Sequence, residues 1–417
     1  MSYNADVALL GYGISNRALG EYLSSLGISS RVITSEDGCD YLNTNEKIAF
    51  RSPAVRPDKI KGSAKITSEI ALALSMSDGY KIGVTGSDGK TTTSTLIYEM
   101  LSSAGKRTRL CGNIGTPAII GASETGRDSY TVCELSSFQL FDMRPRLDCA
   151  IITGISENHL DWHTDMDEYV SAKENILSCA DRGVLRYDKT LVNMSARHSL
   201  EYSFFSLDDF EAPRGAHKCF VKNGYITYDG IRVLEIDKIK LKGSFNLLNL
   251  ESALCALYEI VDTSAICEVA YTFLGVDGRM SVIDTLGGVT IIDSSIDSTP
   301  SRTASTLSAL DKSRCVVLLG GYDKGLSYEM LADALRGAKY AVICGANSHK
   351  IYGEIRGSIR AHITDNFECA VREACEICDA GDILVLSPAS ASFDMFENYR
   401  QRASEFARIV RGYKWKK

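Results

Sequence analysis

The sequence predicts an α/β protein of three consecutive blocks, and three observations carry the prediction. Short apolar runs suited to buried strands alternate with longer stretches of helical periodicity, the pattern of parallel strands joined by crossover helices. Glycine-rich turns directly follow two of those runs, at Gly11-Tyr-Gly13 and Gly86-Ser-Asp-Gly89, where a strand hands over to a helix. Two dipeptides, Asn223-Gly224 and Asp229-Gly230, mark hairpins between alternating apolar residues and add a small antiparallel patch to the middle of the chain.

The first block, residues 1–79, opens with the apolar run Val7–Leu10 and turns at Gly11-Tyr-Gly13. A helical stripe follows (Ala18, Leu19, Tyr22, Leu23, Leu26), and the chain returns as a strand at Arg31–Thr34. The turn is similar to a dinucleotide fingerprint, but Asn16 stands where a third glycine belongs. A nucleotide-binding turn and a plain turn into a helix are therefore both open. The second block, residues 80–278, begins with the strand Tyr80–Val84 and continues with strands at Tyr130–Cys133 and Ala150–Thr153. Helical patterns lie at Thr92–Ser103, Tyr169–Ala180 and Asn246–Val261. In the third block, residues 279–417, two strands flank Gly287-Gly288. The runs Cys315–Leu319, Tyr340–Cys344 and Ile383–Leu386 then alternate with helical stretches at Met330–Leu335, Phe367–Ile377 and Glu397–Val410, a doubly wound, Rossmann-like arrangement.

Composition narrows the function classes. The chain has 417 residues, room for about two to four domains. Asp plus Glu number 53 against 46 Lys plus Arg, a net charge of −7, which argues against a nucleic-acid partner but leaves room for a local basic pocket. No apolar run approaches the roughly 18 residues of a membrane-spanning helix, and the N-terminus lacks the basic-then-apolar pattern of a secretory leader. A cytoplasmic protein without membrane insertion is expected. The 13 cysteines are scattered, several of them in apolar runs (Cys133, Cys149, Cys315, Cys344), as in a reduced protein that uses thiols as small buried groups. Cys375 and Cys378 form the only close pair, with no second pair or flanking histidine to suggest a metal site.

The strongest chemical signal is Gly86-Ser87-Asp88-Gly89-Lys90-Thr91-Thr92, placed between a strand and a helix. Glycines there let backbone N–H groups turn onto phosphate oxygens, and the helix N-terminus adds partial positive charge. Lys90 can reach the outer phosphates and Thr91 can offer a hydroxyl to Mg²⁺. Val84 occupies the first glycine position of the longer phosphate-loop pattern, so a shorter form is present. Glu134, at the end of its strand, suits a hard oxygen-loving cation. His159 and Asp161 follow the next strand in the same way, His159 as a ligand or as a hydrogen-bond partner. On composition alone Lys173 reads as a solvated helix lysine.

Together these motifs resemble the Mur ligase family. Gly86–Thr92 is similar to its ATP loop, and Asn158-His-Leu-Asp161-x-His163 and Ala172-Lys173 to two further signatures. Glu134-Leu-Ser-Ser-Phe-Gln-Leu140, Gly112-Asn113-Ile-Gly115, Leu319-Gly-Gly321-Tyr-Asp-Lys324-Gly, Ser387-Pro-Ala-Ser-Ala-Ser392-Phe-Asp394 and Gln401-Arg402 follow in the family's order. The resemblance implies three domains, Rossmann-like, phosphate-loop ATPase and Rossmann-like, for a uridine nucleotide, ATP and an amino acid. It implies a monomeric amide ligase of peptidoglycan synthesis that adds D-glutamate to UDP-N-acetylmuramoyl-L-alanine. The implied groups are ATP, two Mg²⁺ ions and a carbamylated Lys173. Lys90, His159, Lys173 and Lys324 would be catalytic, and Thr91, Glu134, His159 and Lys173 metal ligands. The ATP loop, Asn246, Asn249 and Arg279 would contact ATP. Gly13, Ser15, Ser52, Asn113 and Ser136 would contact the nucleotide-linked substrate, and Ser298, Lys324, Ser392, Phe393 and Tyr399 D-glutamate. The chain departs from the family at Asp88, Phe245, Gly278 and Ala54, and at Asp293-Ser294, where Asp293 or Asp297 would supply the expected carboxylate. Three alternatives share part of the pattern: another Mur-type or folylpolyglutamate-type ligase, a weakly active paralogue, and a nucleotide-dependent regulator.

Overall fold

The computed structural model describes residues 6–34, 46–159, 162–241, 243–276 and 278–415. The chain divides into two compact units, Met1–Lys240 with Phe245–Phe273, and Leu241–Ser244 with Leu274–Lys417.

The first unit contains two sheets. The smaller holds β1 (Val7–Leu10), β2 (Ser30–Ile33), β3 (Ile48–Arg51) and β4 (Lys65–Thr67), all parallel in the order β2-β1-β3-β4. Helices α1 (Ile14–Ser25) and α2 (Glu69–Met76) bring Leu19, Leu23, Ile70 and Leu74 against Leu9 and Phe50 on one face. Ala8, Leu10 and Ala49 bury the other, so the strands read as continuous apolar runs. Asn16, in the place of the missing glycine, is buried, and its amide reaches Leu10 O (3.1 Å), Gly11 O (2.8 Å) and Phe50 O (3.0 Å). The residue that weakened the fingerprint thus pins the ends of two neighbouring strands.

The larger sheet is built from β5 (Tyr80–Thr85), β6 (Arg107–Gly112), β7 (Ser129–Glu134), β8 (Leu147–Ile152), β9 (Ala180–Arg186), β10 (Glu201–Ser206), β11 (His217–Lys222), β12 (Tyr225–Tyr228) and β13 (Ile231–Glu235). Its order is β13-β12-β11-β10-β9-β8-β5-β7-β6. Between them run α3 (Lys90–Ser103), the single turn α4 (Ser137–Leu140), α5 (Met166–Glu174) and α6 (Lys189–Ser195), followed by α7 (Ser244–Leu257) and α8 (Thr263–Thr272). The chain crosses β5 on its way from β7 to β8, which opens a crevice at the carboxyl ends of these three strands. Both predicted hairpins form, with positive φ at Asn223, Gly224, Asp229 and Gly230 as their tight turns require. They are not a separate patch, because β11 pairs in parallel with β10 and extends the main sheet. The helix expected over 169–180 stops at Glu174. Asn175 turns its amide to Leu140 O (2.9 Å), and Ala180 pairs with Leu147 as the first residue of β9.

The second unit is one six-stranded sheet: β14 (Ser281–Leu286), β15 (Val289–Asp293), β16 (Cys315–Leu319), β17 (Tyr340–Ile343), β18 (Ala361–Ile363) and β19 (Ile383–Leu386), in the order β14-β15-β19-β16-β17-β18. All pairs are parallel except the β14–β15 hairpin at Gly287-Gly288. Helices α9 (Pro300–Ser308), α10 (Glu329–Ala334), α11 (Ser348–Ile355), α12 (Phe367–Ile377) and α13 (Tyr399–Gly412) alternate with the strands. Cys375 and Cys378 lie in this core with their thiol pKa values raised, chiefly by burial. Among the described residues no helix is long and apolar enough to cross a membrane.

Candidate active site

The loop between β5 and α3 is shaped by two glycines that nothing larger could replace. A Cβ at Gly86 (φ 145°) would stand 1.9 Å from Thr153 Oγ1, and one at Gly89 (φ 81°) 2.3 Å from Asn249 Oδ1. The second contact brings α7 onto this glycine loop. Asn249 accepts from Thr93 Oγ1 (3.4 Å) and donates to Asn246 (3.2 Å), so both predicted nucleotide-contacting asparagines sit beside the loop, buried. Lys90 folds over the loop and donates to Gly86 O and Ser87 O, each at 2.9 Å. Ser87 faces inward instead: its N–H goes to Gly154 O (2.8 Å), and its hydroxyl lies 2.8 Å from Ser156 O and 2.9 Å from Tyr169 Oη. Asp88 is exposed, and Thr92 is buried at the start of α3.

Thr91, one residue into α3, donates to Glu134 Oε2 at 2.6 Å, and Asn113 donates to Glu134 Oε1 at 2.9 Å. The three residues come from α3, the end of β7 and the turn after β6, which strand order makes neighbours. Glu134 is buried, so its two oxygens are aimed by these donors. Ser136 begins the following turn with a capping box: its hydroxyl accepts from Gln139 N, and Gln139 Oε1 accepts from Ser136 N.

Lys173 is not solvated. It is 1% exposed, donates to Gly86 O at 2.7 Å and lies 4.6 Å from the centre of the Tyr169 ring. Burial, and then the positive charge of Lys90, push its pKa well down, while Asp88 and Glu134 pull weakly the other way. Tyr169, one helical turn before Lys173, escaped the sequence reading; the i, i+4 spacing of a tyrosine and a lysine on one helix was the available sign. His159 holds φ at +58°, a conformation uncommon outside glycine, with its ring exposed and 4.9 Å from Phe138. Asp161 lies outside the described residues. Among those described, no cluster of three or more His, Cys, Asp or Glu side chains is formed for a metal. The hard donors on offer are the Glu134 carboxylate and the Thr91 hydroxyl, a set that suits magnesium. Elsewhere in this unit, Gly13 is exposed, and Ser15 and Ser52 are half-buried beside the first sheet's carboxyl end.

The second unit gathers its candidate residues on loops leaving β15, β16 and β19, adjacent strands of one sheet. Asn347 ties two of the loops: it accepts from Gly321 N (2.9 Å) and donates to Ser390 Oγ (2.8 Å) and Tyr328 Oη (2.6 Å). Arg402, buried, donates to Ser295 O, Ser390 O and Ala391 O and so joins the third loop. On this frame Lys324 and Phe393 are exposed, Ser392 is buried, and Ser298 and Tyr399 are half-buried. Phe393 meets Tyr322 edge-on, their ring centres 6.4 Å apart. Asp297 is internal: its Oδ2 accepts from Ser387 and Thr306, each at 2.7 Å, and burial raises its pKa against those bonds. Asp293 ends β15, and its Oδ1 accepts from Ser295 N. Gly278 (φ 75°) has Ser295 Oγ 3.0 Å from where a Cβ would stand, so this backbone disfavours a larger residue. Arg279, next to it, is half-buried.

Known proteins share this arrangement. The profile of the Mur ligase middle domain matches residues 84–257, and that of the Mur ligase glutamate ligase domain residues 278–390. The UDP-N-acetylmuramoylalanine–D-glutamate ligase of Clostridium novyi is 36% identical over an alignment 448 positions long, which covers 98% of this chain and 96% of that protein. The enzyme of that name from Ruminiclostridium cellulolyticum is 33% identical over 99% and 97%. Among solved structures, the UDP-N-acetylmuramate–alanine ligase of Thermotoga maritima superposes with a TM-score of 0.63 at 18% identity, over 98% of this chain and 100% of that one. The MurF ligase of the same organism, solved with ADP, gives 0.62 at 17%, over 98% and 95%. These two show the fold; the full-length relatives and the two profiles show that the chain belongs to the Mur ligase family of ATP-dependent, amide-forming ligases.

Proposed function

We propose that the chain joins the amine of D-glutamate to the carboxylate of UDP-N-acetylmuramoyl-L-alanine at the expense of ATP, a cytoplasmic step in making peptidoglycan precursors. Residues 1–79, 80–278 and 279–417 would serve the uridine nucleotide, ATP and the amino acid in turn. The observation that carries the reading is the cluster at the end of β5, where Thr91, Glu134 and Asn113 converge beside a glycine loop that holds two lysines. Full-length relatives named for this reaction support the choice of substrates.

A carboxylate and an amine do not condense in water unaided. The substrate carboxylate attacks the γ-phosphorus, ADP leaves, and an acyl phosphate forms. The amine then attacks the acyl carbon, and phosphate departs. Lys90 offsets charge on the transferring phosphoryl group. Thr91 and Glu134 would hold one magnesium ion and His159 with a carbamylated Lys173 a second; magnesium bound there supplies neutralisation of phosphate charge. The buried amine of Lys173 supports the carbamate, because CO₂ adds only to an uncharged amine and burial favours that form. A carbamate would also supply a second carboxylate-like ligand near Glu134. Gly86 O keeps Lys90 as a donor when Lys173 changes sign. Lys324 would take a D-glutamate carboxylate, and the Ser392–Tyr399 segment its other polar groups.

The test is phosphate release from ATP with UDP-N-acetylmuramoyl-L-alanine, with and without D-glutamate, and with D-alanine, L-alanine or L-lysine in its place. Release that requires D-glutamate is expected. Release independent of any amino acid, or equal with L-lysine, refutes the reading.

A further inference from the structure

An arginine stands at each end of the turn Ser52-Pro-Ala-Val55 that follows β3. Arg51 is 1% exposed. Its Nε lies 2.8 Å from Asp142 Oδ2, a second nitrogen meets Oδ1, and Nη2 donates to Phe138 O at 2.7 Å. Phe138 belongs to α4, the helical turn that follows Glu134 and Ser136, and Asp142 lies two residues beyond its end. Arg56 reaches the other flank. Nη1 and Nη2 each lie 3.0 Å from a Glu168 oxygen, and Nη1 also donates to Trp162 O. The guanidinium carbon is 4.8 Å from the centre of the Trp162 ring and 5.3 Å from that of Phe141.

Glu168 sits in the first turn of α5, the helix that presents Lys173. The same carboxylate lies 3.1 Å from Nδ1 of buried His163, whose Nε2 lies 2.9 Å from Ser137 Oγ. Ser137 opens the helical turn that Arg51 holds. The polar path Arg56–Glu168–His163–Ser137 therefore closes a ring through both anchor points. Paired, bidentate guanidinium–carboxylate contacts of this kind fix geometry more than they add net stability.

We propose that Arg51 and Arg56 are positioning residues that lock the Ser52–Val55 turn to the segments carrying Glu134, Ser136 and Lys173, so that a carboxylate delivered from the first sheet meets the phosphate loop in register. The inference rests on reading that turn as part of the nucleotide-substrate site. Neither arginine touches the reacting atoms; a displacement of about 1 Å in what they hold is enough to cost about 10²-fold in rate.

The full-length protein tests this with Arg56→Met, Arg56→Lys, Glu168→Gln and Asp142→Asn. Three quantities are read: the Kd of UDP-N-acetylmuramoyl-L-alanine alone, the Kd of a non-hydrolysable ATP analogue with Mg²⁺ alone, and kcat with all substrates saturating. Arg56→Met is expected to keep both Kd values within about threefold while kcat falls about 10²-fold, and Arg56→Lys to recover about tenfold of the loss. Glu168→Gln, which keeps the side chain's shape, carries the same expectation if Arg56→Met does not fold. Asp142→Asn should lower kcat in the same direction and leave Arg51 in place. An unchanged kcat, or a loss of kcat matched by equal losses in both Kd values, overturns the proposal. Wild-type protein that binds the ATP analogue but not the uridine nucleotide overturns it together with the reading of the turn on which it rests.

Discussion

Replacing Lys173 separates the proposed chemistry from an ordinary structural lysine. An exposed lysine with a pKa near 10.4 is uncharged in only about one molecule in 2,500 at pH 7. Lys173 is fully buried, faces the positive Lys90, and has its pKa well below that range. Each unit of depression raises the uncharged fraction about tenfold, so the amine is poised to take up CO₂. On the proposed reading, carbamylation would turn the uncharged amine into an anion beside Lys90 and the candidate metal ligands Thr91 and Glu134. Lys173→Ala removes that anion, and the loss of one such preorganised charge costs on the order of 10²–10³-fold in kcat. Phosphate release measured in buffers stripped of bicarbonate should fall for wild type and return when bicarbonate is restored. The Lys173→Ala variant should ignore bicarbonate and regain some activity with added acetate or formate, which can fill the vacated ligand position. Solution ¹³C NMR with labelled bicarbonate should show a carbamate resonance in the Mg²⁺-loaded enzyme. A fully active enzyme with a bare amine at Lys173 would refute the reasoning.

Other outcomes follow from the same geometry. Lys90→Ala should reduce turnover by about 10²-fold or more, since it removes the cation held over Gly86 and Ser87; steady-state rates within threefold of wild type would exclude the phosphate-loop assignment. Lys324→Ala should raise the D-glutamate concentration needed for half-maximal rate or abolish turnover, with ATP binding by calorimetry unaltered. Glu251, on α7, is buried with no hydrogen-bond partner for either carboxyl oxygen among the described residues. Burial first, then nearby Cys255, push its pKa up to about 10 from 4.5. The folded form therefore binds a proton that the unfolded chain releases, and stability should fall as pH rises from 4.5 toward 10, by up to about 1.4 kcal/mol per unit. Glu251→Gln should flatten that slope in urea titrations at pH 6 and 8; an unchanged slope would contradict the assignment.

What the sequence settled by itself is what short-range chemistry writes. Strand-to-helix punctuation located the glycine loop between β5 and α3, and dipeptides able to hold positive φ marked both hairpins. Alternating apolar runs outlined the second unit's sheet, and the Glu134 carboxylate that ends β7 was found from its place at a strand's end. These features depend on neighbours a few residues away, so spacing suffices. Tertiary structure alone decided the rest. Lys173 reaches Gly86 across 87 residues, and only the placement of α5 against the loop turned it from a solvated lysine into a buried amine. Asn113, a candidate substrate contact, also donates to Glu134, because β6 and β7 are paired. Asn16 looked like a defect in a glycine pattern until β3 came to lie beside β1. Asp293 and Asp297 are equally buried, and only the fold shows that Ser387, just past the end of a neighbouring strand, bonds to Asp297. The arginines around Ser52 have near partners in Asp58 and Val55 O, but those that tie them to the site lie 87 to 112 residues away, and strand order alone brings those within reach.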